Sequence, residues 1–485
     1  MFIFVLAVAL LILGYCFYGL FVEKVLGINP KRLTPAIRLK DDVDFVPMHP
    51  AKIFLIQFLN IAGLGPVFGA LLGALYGPVC LLWIVFGSIF AGAVHDMLAG
   101  FISLRNNGGT MIALVQKYFG KKFYIFFMVF LTIMLLLVGS IFAQQPAKLL
   151  ADMTSCSFVL WISIIFGYYF LATLLPIDKI IGRLYPVFGC CLILTTIALL
   201  CVLFAQGNTF YPDLTVLNQH PDGQPIFPIM FITIACGALS GFHATQSPMM
   251  ARCMTNEKYA RPCFYGAMIM EGFIALVWAT VGICFYQGST GLAQALGPAG
   301  DTAKVVQEIS NALLGNLGGF LAVLSVIFLT ITSGDTALRC ARLSVAEIFK
   351  FDQKKIWKRL LFSVLVLGGS IVLTVLDLKY IWPYFGWANQ VLATIMLWTS
   401  TIYLHKTGRN YWIALIPAIF ITTVVTTTLA NAKYAFNLHL EVARWIGWTA
   451  TLTFVCLFFT KIKGRHKEGL HLKRLLHFPF FTKKK

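Results

Sequence analysis

Apolar stretches of about twenty residues alternate with short polar or basic segments along the whole chain. A helix needs about 20 apolar residues to cross roughly 30 Å of hydrocarbon, so each stretch predicts a membrane-spanning helix. Thirteen are predicted, over residues 2–21, 53–76, 78–103, 123–145, 157–175, 184–205, 227–249, 262–287, 315–338, 360–377, 380–404, 411–430 and 443–461. The first is read as a span rather than a cleavable signal, because no basic leader precedes it and no polar, small-residue cleavage site follows.

Composition supports the pattern. Of 485 residues, 59% are hydrophobic and 12% charged, against about 25% charged in soluble proteins, which excludes a water-soluble fold. A net charge of +19 would point to nucleic acid in a soluble domain. Here the basic residues sit between apolar stretches, where they report topology, and no nucleic-acid partner is expected. With thirteen spans, 33 of the 38 Lys and Arg fall on one side, beginning with the loop that holds Lys24, Arg32 and Lys40 and ending with the tail. That predicts an external N-terminus and a cytoplasmic C-terminus. In the tail, His471, Leu475, Phe478, Phe480 and Phe481 interleave with lysines, so lipid contact and plain solvation are both open. The twelve cysteines include no CxxC pair, and Cys16, Cys80, Cys190, Cys191, Cys201, Cys236 and Cys284 read as small core residues.

Two stretches break the helical pattern at mid-membrane. Ile61-Ala-Gly-Leu-Gly-Pro66 places two glycines and a proline in the second, and Ser240-Gly-Phe-His-Ala-Thr-Gln-Ser-Pro248 interrupts the seventh. Interruptions at corresponding positions of two halves point to a transporter's binding site. If the second to sixth stretches form one repeat and the seventh to eleventh another, both breaks fall in a repeat's first helix. Five being odd, the repeats are inverted. The expected fold is thus an all-α, polytopic membrane protein with a five-plus-five inverted-repeat core and discontinuous helices. Its organisation would be a first helix and basic loop (1–51), two repeats (52–205 and 206–405), two further helices (406–461) and a basic tail (462–485). Ordinary packing kinks are the plainer alternative for each break.

Ionisable groups within apolar stretches are costly and mark functional sites. They are His95 and Asp96, Glu271, and Asp335 with Arg339. Asp335 and Arg339 are four apart, which predicts a pair on one helical face. Glu271 has no partner nearby in sequence and lies near the midplane, so it is the better candidate for carrying a proton. Substrate is expected at the breaks, through Asn60, Gly63, Gly65, Ser240, Gly241, His243, Thr245 and Gln246, with Asn389 and Gln390 lining the pathway or bridging helices. Ala62, Gly65, Thr332 and Ser333 could ligate sodium through oxygen. No cofactor is expected.

The chain resembles the carbon starvation protein A family of bacterial inner-membrane transporters. The resemblance rests on Asn29-Pro-Lys-Arg-Leu-Thr-Pro-Ala-Ile-Arg38, Ala91-Gly-Ala-Val-His-Asp96, Phe231 to His243, Asp335 to Arg342 and Trp382-Pro-Tyr-Phe-Gly-Trp-Ala-Asn-Gln390. It implies ion-driven uptake of peptides, or of pyruvate in some members, across the bacterial inner membrane. Phe58 and Leu59, His95, and the run Thr245 to Arg252 depart from the family's expected residues and flank the presumed cavity, so substrate identity does not transfer with the fold. The expected function is a symporter for a peptide or small carboxylate, coupled to H+ or Na+. An intramembrane enzyme is disfavoured, since no HExxH, GxSxG or Walker loop occurs and the acids and histidines lie at no ligand-like spacing.

Overall fold

A computed structural model describes residues 2–174, 181–207, 217–298, 300–348, 356–375 and 378–475. Helices dominate them: α1 (Phe2–Leu26), α2 (Pro50–Ala62), α3 (Gly65–Ala74), α4 (Val79–Arg105), α5 (Met111–Phe119), α6 (Lys121–Met153), α7 (Phe158–Leu174) and α8 (Ile181–Ala205). There follow α9 (226–233), α10 (His243–Ala251), α11 (Glu257–Phe285), α12 (Ser289–Leu296), α13 (Thr302–Ile348), α14 (Ile356–Leu373), α15 (Leu378–Lys406), α16 (Trp412–Asn431) and α17 (Leu440–Leu475). Among the described residues there is no β-strand, only an isolated bridge between Met48 and Met254. In hydrocarbon every backbone group must be paired within the protein, and helices do this within one segment.

Each predicted stretch coincides with a helix or a broken pair of helices. Among the described residues, eight helices qualify as spans by length and hydropathy alone, and the bent pair α2–α3 as a ninth. The remaining predicted stretches miss that test for visible reasons. The stretch at 227–249 is divided into the short α9 and α10, and the stretch at 157–175 gives a 17-residue helix whose last predicted residue lies outside the described ones. The stretch at 360–377 enters undescribed residues, and the 29-residue helix over 380–404 is made less apolar by Asn389, Gln390 and several Ser and Thr. α13 is longer than expected because it joins two helical pieces across Gly315, whose φ is +69°.

The chain divides into a large unit, Met1–Ala418, and a smaller one, Ile419–Lys485. In the large unit α4 and α11 are the most buried spans, at 83% and 78% of their apolar windows, against 22% for α1. α6 and α8 pack along α13, and α10 packs on α4. In the smaller unit Thr423 and Thr451 share a hydroxyl contact of 2.8 Å. Of the tail residues expected at lipid, Phe478, Phe480 and Phe481 lie outside the described residues. Cysteine placement corrects one expectation. Cys80, Cys236 and Cys284 are buried, but Cys16, Cys190 and Cys201 are exposed on helix surfaces and Cys191 is half-buried. A thiol is apolar enough to face lipid as readily as a core, so hydropathy could not separate the two.

The basic loop after α1 is a packed strap. Asp41 Oδ1 accepts the N–H groups of Val43, Asp44 and Phe45 at 2.8–3.0 Å, and Met48 N–H donates to the Cys253 carbonyl at 3.0 Å. This turn delivers Asp44 to Arg339 (3.5 Å) and Arg342 (3.6 Å) on α13. Burial pushes the Asp44 carboxyl up, but Arg342 and Arg339 outweigh it and hold the group below the usual carboxylate range.

Candidate functional site

The first break lies between α2 and α3, which meet at 57°. Gly63 sits there at φ +50°, ψ −149°, a conformation that favours glycine. The carbonyls of Leu59 and Asn60, freed near the end of α2, accept the Ser333 hydroxyl of α13 at 3.2 and 3.3 Å. The Asn60 side-chain amide is fully buried, and neither its nitrogen nor its oxygen has a hydrogen-bond partner. Phe142 closes over Gly63 and meets Phe242 and Phe385 at centroid distances of 6.2 and 6.1 Å, an aromatic wall that no motif announced.

The second break, 234–242, is held by side chains. Trp83 Nε1 donates to the Ile234 carbonyl (3.1 Å), Ser88 Oγ to that of Gly237 (2.9 Å) and Gln390 Nε2 to that of Leu239 (2.8 Å). Asn389 Oδ1 accepts the Phe242 N–H at 2.8 Å, and its amide nitrogen donates to Ser240 Oγ at 3.0 Å. Asn389 and Gln390 therefore bridge helices, and the non-helical backbone at membrane depth is tolerated because protein satisfies it.

The two breaks touch. A Cβ on Gly65 would lie 1.8 Å from Cys236 Cβ, so only glycine fits that crossing. Gly241 likewise packs onto the backbone of Asn389 and Ala393. Both glycines, expected to line the substrate site, serve close approach between elements.

Beside this crossing the structure assembles a chain of ionisable groups, all fully buried. His95 Nδ1 lies 2.8 Å from Asp96 Oδ1. Asp96 Oδ2 reaches His243 Nδ1 at 3.0 Å, and His243 Nε2 faces Glu271 Oε2 at 3.4 Å. Glu271 Oε1 accepts the Gly237 N–H at 3.0 Å. Glu271, without a neighbour in sequence, thus holds both edges of the second break: Gly237 near its start and His243 just past its end. His95 and Asp96 come from α4, His243 from α10 and Glu271 from α11, so no spacing in the sequence could reveal the chain.

Other expectations are placed differently. Arg339 turns to Asp44 and to the Ala172 carbonyl, while Asp335 Oδ2 accepts the Tyr185 hydroxyl at 2.6 Å. The i,i+4 spacing gave both side chains one face; each takes its closest contacts from elsewhere, while Arg339 still acts electrostatically on Asp335. The Thr332 hydroxyl donates back to Leu329 at 3.0 Å, so of the expected sodium ligands Ser333 is the one that reaches α2. Its contacts are Leu59 and Asn60, one turn before Ala62 and Gly65. Thr245 lines a narrow cavity with Thr110, Arg252, Cys340 and Ser344, and its hydroxyl accepts from Gln246 at 2.8 Å. Sequence reasoning missed Gln57, whose amide crosses from α2 to Ser247 of α10 at 3.0 Å, and also Cys236 and Asp44.

Comparison with known proteins agrees with this architecture. The family profile described as Carbon starvation protein CstA matches residues 1–160, 144–313 and 287–430. An uncharacterized membrane protein of Haemophilus influenzae is 43% identical over 60% of this chain and 93% of its own length. The peptide transporter CstA of Escherichia coli is 27% identical over 89% of this chain and 81% of its own. The pyruvate/proton symporter BtsT of the same organism is 24% identical over 90% and 82%. Among solved structures, MhsT in complex with L-phenylalanine superposes with a TM-score of 0.56 at 14% identity, covering 84% of this chain and 98% of that one. A substrate-bound, outward-open Na+-coupled sialic acid symporter gives a TM-score of 0.54 at 13% identity, covering 92% and 96%. The fold is shared with these two proteins.

Proposed function

We infer that this chain, which belongs to the carbon starvation protein CstA family, is an ion-coupled symporter importing a small carboxylate-bearing metabolite, with peptide as first substrate class and pyruvate as second. It is a multi-pass membrane transporter rather than an enzyme, set in the bacterial inner membrane with its N-terminus outside. The observation that carries the reading is the contact between the two helix breaks, with the Asp96–His243–Glu271 chain locked to the second. Relatives that transport peptides, or pyruvate with protons, support it.

The substrate carboxylate is received at the N-terminal turn of α3, whose first residues carry no side-chain cap. The corresponding end of α10 already donates to Asn389. The coupling ion is a proton on the Glu271–His243 contact. As a carboxylate, Glu271 accepts the Gly237 N–H and attracts His243. Protonated, it loses its charge, and the hold on both edges of the break weakens. Proton occupancy and the shape of the substrate site are thereby one equilibrium, as symport requires.

A second reading couples sodium at the first break, where Ser333 Oγ and the Leu59 and Asn60 carbonyls converge. The fold's likeness to a Na+-coupled symporter favours it. Uptake of labelled dipeptide and labelled pyruvate by proteoliposomes, with pH and sodium gradients imposed separately, tests both. Accumulation under the pH gradient alone is the expected outcome, and accumulation under sodium alone transfers the coupling to Ser333. No accumulation of either substrate in sealed vesicles overturns the substrate assignment.

A further inference from the structure

Beside the His243–Glu271 contact, the second break carries a thiol that the transport reading leaves unused. Cys236 Sγ, one ring nitrogen of His243 and one carboxylate oxygen of Glu271 all lie within 4.8 Å of one another and all three residues are buried. His243 Nε2 and Glu271 Oε2 face each other across 3.4 Å, yet neither makes a hydrogen bond. Buried polar atoms without partners call for an explanation. Thiolate, imidazole and carboxylate together are the donor set of zinc, which binds them at about 2.0–2.3 Å in tetrahedral geometry. Such ligand atoms stand some 3–4 Å apart around the ion, so the observed cluster needs only a small contraction.

The surrounding groups are those that orient metal ligands. A metal-binding histidine donates its other ring N–H to a carboxylate, which fixes the tautomer and raises ligand basicity. Asp96 Oδ2 stands 3.0 Å from His243 Nδ1 in that position, and the Gly237 N–H holds the second oxygen of Glu271 at 3.0 Å. Three protein ligands leave one position of a tetrahedron open. Sodium, magnesium and calcium prefer all-oxygen sites, so the thiol selects against them.

We propose that Cys236, His243 and Glu271 form a binding site for zinc or a similar borderline transition-metal ion, oriented by Asp96, and that the bound ion arrests transport. The ion would tie the second break to α11 at the crossing with Gly65. It would also occupy the atoms between which the coupling proton moves. The binding part stands on geometry alone, and the arrest rests on the symporter reading.

Cobalt(II), added to the purified full-length protein in detergent, is the probe, because thiolate ligation gives a near-ultraviolet charge-transfer band. The wild type is expected to bind one equivalent with that band. Cys236→Ser, close in volume, should lose it, and Asp96→Asn should keep it with affinity lower by about 10–100-fold. A wild type without the band, or a band that survives in Cys236→Ser, overturns the site. In proteoliposomes zinc should inhibit wild-type uptake and spare Cys236→Ser, and equal inhibition of both overturns the arrest. If neither substrate is transported, the cobalt result still decides the site, so a failed substrate assignment and a failed metal site are told apart.

Discussion

The two helix breaks occupy equivalent places in their repeats but are built from different materials. The first is a backbone device. Gly63 takes the conformation that favours glycine, and one hydroxyl, Ser333, meets the Leu59 and Asn60 carbonyls. The second is a side-chain device, in which Trp83, Ser88, Gln390, Asn389 and Glu271 each pair one or more groups of 234–242. The first break carries no ionisable side chain of its own, whereas the second is clasped by Glu271 and runs into His243. Equivalent topology therefore does not mean equal construction: the first break is held through backbone carbonyls, and charge is stored at the second.

The contrast can be broken in four places. Gly65→Ala should do most damage, because its Cβ would fall 1.8 Å from Cys236 Cβ and 3.0 Å from Cys236 Cα. Overpacking of this kind costs about 3 kcal/mol or more, and loss of both uptake and monodisperse protein on size exclusion is expected. Normal uptake would mean the breaks do not need to touch. Glu271→Gln comes next: gradient-driven accumulation should vanish while gradient-free exchange of labelled substrate persists. Undiminished accumulation would remove the second break from coupling. Asn389→Ala removes the acceptor of the Phe242 N–H and the amide contact of the Ser240 hydroxyl, which should lower stability by about 1–3 kcal/mol, read as a fall in unfolding temperature in detergent. Ser333→Ala should have the smallest effect, about 0.5–1.5 kcal/mol with transport nearly retained. If it abolishes a sodium-dependent uptake instead, the ion belongs to the first break and the contrast reverses.

Much of the architecture was legible because the bilayer is a simple solvent. A stretch long enough to span is a helix, and glycines set beside a proline within it favour an interruption. The break at Gly63–Pro66 was visible for that reason, as was the oddity of Glu271 in an apolar stretch; the second break was expected at 240–248 but lies at 234–242, and His243–Ala251 is helical with Pro248 inside it. The pairing of Asp335 with Arg339 was read from spacing and came out otherwise, since local spacing says which side chains share a face and not which outside partner competes for them. Tyr185 and Asp44, 150 and 295 residues away in sequence, won that competition. Cys236 and Cys190 were both read as core, because hydropathy does not separate the two fates; the first is buried and the second exposed.

The sequence by itself determined the helices, their interruptions, the inverted order of the repeats and the presence of acids where hydrocarbon would reject them. These follow from the transfer of single residues and short segments into an apolar medium, a property carried by composition and local order. Only the tertiary structure decided that His95, Asp96, His243 and Glu271, from three helices, form one chain, and that Cys236 joins it at the crossing with Gly65. Such contacts depend on distances of 3–4 Å between segments far apart in sequence, and those distances are set by how helices pack, which no periodicity within a single helix records.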